Sequence, residues 1–164
     1  MTYNAAVITV SDKCSTGDRV DTSGPNLCKL LQENGWEISY TAIVPDETGQ
    51  IIAQLRHCTE ELRTNLILTT GGTGFSPRDI TPEATLEVIQ RQTPGISEAM
   101  RAESMRITPK GCLSRGVSGI CNESLIINLP GSKKASEENI LAILPALKHG
   151  VDMLRSSGSA NCGG

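Results

Sequence analysis

Leu68-Thr69-Thr70-Gly71-Gly72-Thr73-Gly74-Phe75-Ser76-Pro77-Arg78-Asp79-Ile80-Thr81-Pro82-Glu83-Ala84 runs from a strand through a glycine-rich loop into a helix start. It begins inside a short apolar run, Leu66–Thr70, with the length and character of a strand buried on both faces. It ends on Thr81-Pro82-Glu83, which reads as a helix start: a capping hydroxyl, a proline in the first turn and an acid near the positive end of the dipole. Between the two lies a loop over 71–80 with glycine at 71, 72 and 74. A buried strand that passes through a glycine-rich loop into a helix is the repeating unit of a parallel α/β fold.

The flanking sequence repeats this alternation. Ala5–Val10 predicts a first buried strand, followed by a polar loop over Cys14–Gly24. Ser23-Gly24-Pro25 then opens a helix, with Ser23 as its cap and Leu27, Leu30 and Leu31 on one face, and Gly35 closes it. Trp36–Val44 predicts a second strand. Ile51, Leu55, Cys58 and Leu62 recur at helical spacing, and a further helix is expected over Ile96–Arg106. Gly116–Cys121 and Leu125–Leu129 predict two strands around a Cys-Asn-Glu-Ser turn, and a terminal helix carries Ile140, Leu144, Leu147, Val151 and Leu154. Pro145 should kink or split that helix. The expected fold is a three-layer α/β sandwich, a largely parallel sheet with helices on both faces. We expect one domain over residues 1–155 and a mobile Ser/Gly tail over 156–164, dispensable for fold and activity. Its Cys162-Gly163-Gly164 end follows no β-grasp pattern, so a carrier-protein tail is not the expectation.

Composition narrows the function classes. Eighteen acids outnumber fifteen bases, and the aromatics are Tyr3, Trp36, Tyr40 and Phe75 alone, so nucleic-acid binding is not expected. No apolar run approaches a membrane span, and Met1–Ser11 lacks the features of a signal peptide, so the expected location is the cytoplasm. The six cysteines are scattered and contain no C-x-x-C, which argues against structural zinc and for single thiols in a reducing compartment.

Ligands of such folds sit beyond the carboxyl ends of the strands. That places Ser11-Asp12, Pro45-Asp46, the 70–79 loop and Asn128–Ser132 on one rim. In the loop, Gly71, Gly72 and Gly74 let backbone N–H groups approach an anion. The hydroxyls of Thr70, Thr73 and Ser76 add donors, Arg78 a cation and Asp79 a hard oxygen ligand, a set able to hold a phosphate with Mg²⁺. The spacing is neither a P-loop nor a dinucleotide fingerprint. The alternative is a tight turn that needs positive φ. Asp46 reaches the same rim and with Asp79 would suit a Mg²⁺ that also binds substrate phosphates; its alternative is to cap the next helix. Ser11 either contacts a ligand or forms a turn. Pro130-Gly131-Ser132 either cradles a phosphate or starts a charged helix. His57-Cys58 reads as a surface residue beside a core residue, since adjacent helical side chains diverge by about 100°.

These segments resemble a known family. Val7–Asp12, Ser23-Gly24-Pro25, Val44-Pro45-Asp46-Glu47, Thr70–Ala84, Leu113-Ser114-Arg115 and Ile126–Gly131 occur in this order in MoaB/Mog-type molybdopterin adenylyltransferases. The chain is similar also to the G domains of plant and animal molybdenum-cofactor proteins. The resemblance covers about Ala5 to Leu154. It implies a trimer that transfers AMP from Mg·ATP to the terminal phosphate of molybdopterin, releases pyrophosphate and hands the product to a molybdenum-insertion enzyme. By motif position, Asp46 and Asp79 match the family's essential acids. Thr73, Ser104 and Ser114 match positions that hold the pterin or its phosphate, Ser104 on the weaker motif Ala-Glu-Ser.

A phosphate monoester with a second pKa of ~6 is largely deprotonated near neutrality, so the attacking group needs no general base. The obstacle is the approach of two polyanions, which calls for charge neutralisation and positioning. Asp79 and Asp46 would place Mg²⁺, and Arg78 or Lys133 would offset charge. Rival readings are a family member that binds molybdopterin with little adenylation and a non-catalytic oligomeric scaffold; the molybdenum-insertion enzyme contains a related domain, but its additional domains are not expected in 164 residues.

Overall fold

The computed structural model describes residues 2–156; the Ser/Gly tail expected from the sequence lies outside them apart from Ser156. The elements are β1 (Asn4–Val10), α1 (Asp12–Thr16), α2 (Ser23–Glu33), β2 (Glu37–Val44), α3 (Thr48–Arg56), β3 (Leu66–Thr70), α4 (Thr81–Leu86), β4 (Arg91–Gln92), α5 (Pro94–Ile107), β5 (Ser118–Cys121), β6 (Ser124–Leu129) and α6 (Lys133–Arg155). The sheet order is β2-β1-β3-β6-β5-β4. β2, β1, β3 and β6 run parallel; β5 is antiparallel to β6, and β4 to β5.

Strand parity builds the three layers. Ala5 and Val7 of β1, Leu66 and Leu68 of β3, and Leu125, Ile127 and Leu129 of β6 face α2, α5 and α6, whose Leu27, Leu31, Met100, Ile140 and Leu147 cover them. The intervening Ala6, Ile8, Val10, Ile67 and Ile126 face α3 and α4 through Ile51, Leu55 and Ala84. Because the central strands are buried on both faces, they read as unbroken apolar runs. The chain leaves β1 for β2 on one side and returns to β3 on the other. The strand order therefore reverses at β1, and this opens a crevice at the carboxyl ends of β1 and β3.

Several expectations need correction. The polar segment after β1 is not all loop: Ser11 caps the short α1, its Oγ accepting from Cys14 N at 3.2 Å. Ser23 does not cap α2. Asp21 serves there, its carboxylate accepting from Gly24 N at 3.0 Å, while Ser23 Oγ donates to the Gly131 carbonyl at 2.9 Å. Thr81 does not cap α4, because its hydroxyl donates to the Gly71 carbonyl at 2.9 Å. The helix expected through Leu62 ends at Arg56 and continues as one π-helical turn over His57–Glu61. β4, only two residues long, carries no periodicity to read. Pro145 leaves α6 a single helix: the carbonyl it frees is that of Leu141, which lies on the exposed side, where water can pair it.

His57 and Cys58 diverge as expected. His57 meets Glu61 at 2.9 Å, and Cys58 is fully buried. Burial pushes the Cys58 thiol up to about 12, so it is inert packing rather than a nucleophile.

Candidate active site

The crevice is a cavity of about 590 Å³. Its walls come from the end of β1 (Thr9, Ser11), the segment before α2 (Asp21), Asp46 after β2, Thr70–Gly72 and Asp79, and Gly131–Lys133 before α6. Among the predicted site residues, Ser11, Asp46, Thr70, Gly71, Gly72, Asp79 and Gly131 line it.

The glycine loop forms the tight positive-φ turn. Gly71 and Gly72 have φ of 108° and 68°, so the turn requires glycine. A Cβ on Gly71 would stand 2.1 Å from the Val10 carbonyl oxygen, and one on Gly72 would stand 2.2 Å from Thr81 Oγ1. Gly71 N donates to the Leu129 carbonyl at 3.1 Å. Among the described residues, the N–H groups of Gly72, Thr73 and Gly74 donate to no protein acceptor, so they remain available to an anion. The Thr70 hydroxyl, expected as a phosphate donor, instead donates to the Pro130 carbonyl at 2.7 Å. That bond makes Pro130 a buttress outside the cavity lining.

Asp46 does not cap α3. Its carboxylate accepts from Asp12 N at 3.0 Å, and its own N–H donates to the Asp12 carboxylate at 3.0 Å. Burial raises the Asp46 carboxyl above the usual range, and the Asp12 and Asp79 charges push the same way against the Asp12 N–H and Arg78. Asp79 is held by Ser76 N, which donates to its Oδ2 at 2.9 Å. Two carboxylates that repel across one cavity are suited to a divalent cation. No group of three or more His, Cys, Asp or Glu among the described residues could hold a metal by itself. An ion here would take its remaining ligands from water and substrate oxygens, as Mg²⁺ does.

Two arginines fix this geometry. Arg78, expected to meet phosphate, is engaged within the protein through Nε and Nη2. Its Nε donates to Asp12 at 2.6 Å, and its Nη2 donates to Asp12 at 3.0 Å, to the Asp46 carbonyl at 3.1 Å and to Glu47 at 2.8 Å. The same contacts hold the Asp12 carboxyl below its ordinary value. Arg115 grips the opposite side of the loop through the carbonyls of Gly74 and Asp79 and the Glu83 carboxylate. The cations left for a polyphosphate are Arg19 and Lys133, which line the cavity and form no ion pair among the described residues.

Thr73, Gly74, Ser104 and Ser114 lie outside the cavity lining. The Thr73 carbonyl accepts from Arg115 N at 2.9 Å, which brings Ser114 beside it. Ser104 packs against Gly111, just upstream of Ser114, and its Oγ accepts from Asn139 at 2.7 Å. The predicted residues therefore fall into two groups, an acid lobe that lines the cavity and a hydroxyl lobe of Thr73, Ser104 and Ser114 outside its lining, with residues 71–79 contributing to both.

Sequence reasoning missed Asp21 and Thr9. Thr9 Oγ1 donates to Asp21 at 2.6 Å, and both line the cavity. The available signal was an acid three residues before the first buried N–H of a helix, a capping arrangement.

The Asp46 shift predicts a trade of stability against function. With its folded value raised, the protein binds the proton more tightly than the unfolded chain does. The contribution of Asp46 to stability therefore falls as pH rises from the unfolded value near 3.8 through the folded value, and the penalty persists above that window. Asp46→Asn, which is uncharged at every pH, is expected to melt higher than wild type at pH 7. That advantage should shrink as the pH falls back through the window, and paired melting curves at both ends of it check this.

Comparison with known proteins places the chain in a family. Residues 6–149 match the family model described as a probable molybdopterin binding domain. A molybdopterin adenylyltransferase of Helicobacter pylori is 42% identical over 93% of this chain and 88% of that protein. Gephyrin of Dictyostelium discoideum is 41% identical over 92% of this chain, which spans only 22% of gephyrin's length. The crystal structure of the molybdopterin biosynthesis enzyme MoaB from Thermus thermophilus superposes with a TM-score of 0.89 at 42% identity, covering 93% of this chain and 96% of that one. The chain belongs to the molybdopterin-binding domain family of molybdenum-cofactor biosynthesis, in its MoaB/Mog group.

Proposed function

We propose that this protein adenylates molybdopterin: the terminal phosphate of the pterin attacks the α-phosphorus of ATP, the bond from that phosphorus to the bridging oxygen breaks, and pyrophosphate leaves. The observation that carries this reading is the convergence of Asp46 and Asp79 on one cavity, with the unpaired N–H of Gly72 in the same lining. In support, the H. pylori relative bears the name of this activity.

The chain's own groups have distinct parts. Asp46 and Asp79 would hold Mg²⁺, which when bound offsets phosphate charge and supports the departing pyrophosphate. Arg19 and Lys133 receive the polyphosphate, and Gly71, Gly72 and Gly131 leave room for it along the floor. Ser11 keeps the rim in shape through α1. On the other lobe, Thr73, Ser104 and Ser114 orient the pterin phosphate. The nucleophile is already deprotonated near neutrality, so none of these groups need act as a general base.

The reading includes a homotrimer, a cytoplasmic location and hand-over of adenylated molybdopterin to an insertion enzyme. Light scattering is expected to give three times the 17.4 kDa chain mass; a single-chain mass at working concentration would remove the trimer. The activity itself is tested by mixing protein, ATP and Mg²⁺ with and without molybdopterin. Pyrophosphate is expected only in the complete mixture. Tight pterin binding without pyrophosphate would identify a binding protein or scaffold instead.

A further inference from the structure

We propose that Arg115 is a positioning residue, which fixes Ser114 on the pterin lobe relative to Asp79 on the acid lobe and so sets the approach of the two substrates. This rests on the adenylation reading above. The backbone N–H of Arg115 donates to the Thr73 carbonyl at 2.9 Å. Its Nε donates to the Gly74 carbonyl at 2.7 Å and its Nη2 to the Asp79 carbonyl at 2.6 Å, which closes the loop at both ends. Its Nη1 meets Glu83 in α4. From α5, Arg101 donates to the carbonyls of Gly116 at 2.8 Å and Ser114 at 3.4 Å, so the Ser114 segment is gripped from both sides.

These contacts connect segments that share no sheet hydrogen bond. Among the described residues, no other side-chain hydrogen bond joins the loop carrying Asp79 to the Ser114 segment. The requirement is for arginine. A rigid fork presents three nitrogens to three separate acceptors, whereas lysine offers one ammonium as a point charge. Both reactants bind through polyanionic groups held by different lobes, so the relative placement of the lobes governs turnover more than it governs either affinity.

Full-length Arg115→Lys, Arg115→Ala and Glu83→Gln proteins test this by turnover, ATP KM, molybdopterin Kd and melting temperature. Arg115→Lys is expected to lose about 10²-fold in kcat, the order of effect of a 1 Å misplacement, with KM and Kd close to wild type. Methylguanidine added to Arg115→Ala is expected to restore part of kcat and to leave wild type unaffected, and this readout decides the matter if the lysine variant melts early. Glu83→Gln, which keeps both carbonyl contacts, is expected to turn over near the wild-type rate. Full turnover in Arg115→Lys would overturn the proposal, as would a loss in Glu83→Gln as large as that in Arg115→Lys, or an absence of rescue. A wild type that binds molybdopterin yet releases no pyrophosphate would instead overturn the adenylation reading, and this inference with it.

Discussion

Asp79→Asn is expected to fold and to bind molybdopterin normally while losing about two to three orders of magnitude in adenylation, since metal-assisted charge stabilisation is worth several kcal/mol and each ~1.4 kcal/mol is tenfold. The fold should survive because the amide oxygen can still accept from Ser76 N, the bond that shapes the loop at 2.9 Å. The Arg115 contact to residue 79 is to the backbone carbonyl and is untouched. Molybdopterin affinity should hold because Thr73 and Ser114 lie on the other lobe. Raised Mg²⁺ is expected to recover part of the loss. If Asp79 served only the turn, melting temperature and turnover would fall together with no recovery by Mg²⁺. Both quantities, with pterin affinity, are measured on one preparation.

Gly71→Ala is expected to be the most destabilising small substitution in the loop. Its φ of 108° is a conformation alanine rarely adopts, and the new Cβ would sit 2.1 Å from the Val10 carbonyl oxygen, a backbone atom with no rotamer to escape into. Strain of this kind costs about 1–3 kcal/mol before the clash is counted. A total near ~3 kcal/mol would lower Tm by roughly 6–12 °C in a chain of this size. Gly150→Ala is the control. It lies within α6 with nothing within 4 Å of the added Cβ, so it is expected to raise stability by up to about 1 kcal/mol. Differential scanning calorimetry on the pair checks both signs. Similar melting temperatures would show that the floor of the site yields to a methyl group.

The layers were legible in the sequence for a simple reason. Ile67 and Ile126 face one way while Leu66, Leu68, Leu125 and Ile127 face the other, so strands buried on both sides betray themselves as apolar runs. The rim was legible because fold topology alone sends the ends of β1, β2, β3 and β6 to the same side, and Asp46 and Asp79 do share a cavity there. What stayed hidden was hydrogen bonding between segments distant in the chain. Arg78 reads as a free cation until Asp12, 66 residues away, is seen to take two of its bonds. Thr70 reads as a donor to ligand until the Pro130 carbonyl, 60 residues away, is seen to accept from it. Ser23 reads as a cap although Asp21, two residues earlier, does that work. Local pattern names the groups able to bind; only packing settles which of them are already engaged.

Transfer of AMP to the pterin phosphate can be followed by label from ATP. Protein, Mg²⁺ and molybdopterin are incubated with ATP labelled at either the α- or the γ-phosphate, and the pterin is isolated. The α-label is expected on the pterin and the γ-label in pyrophosphate. Label from the γ-phosphate on the pterin, or no label at all with molybdopterin still bound, would contradict it.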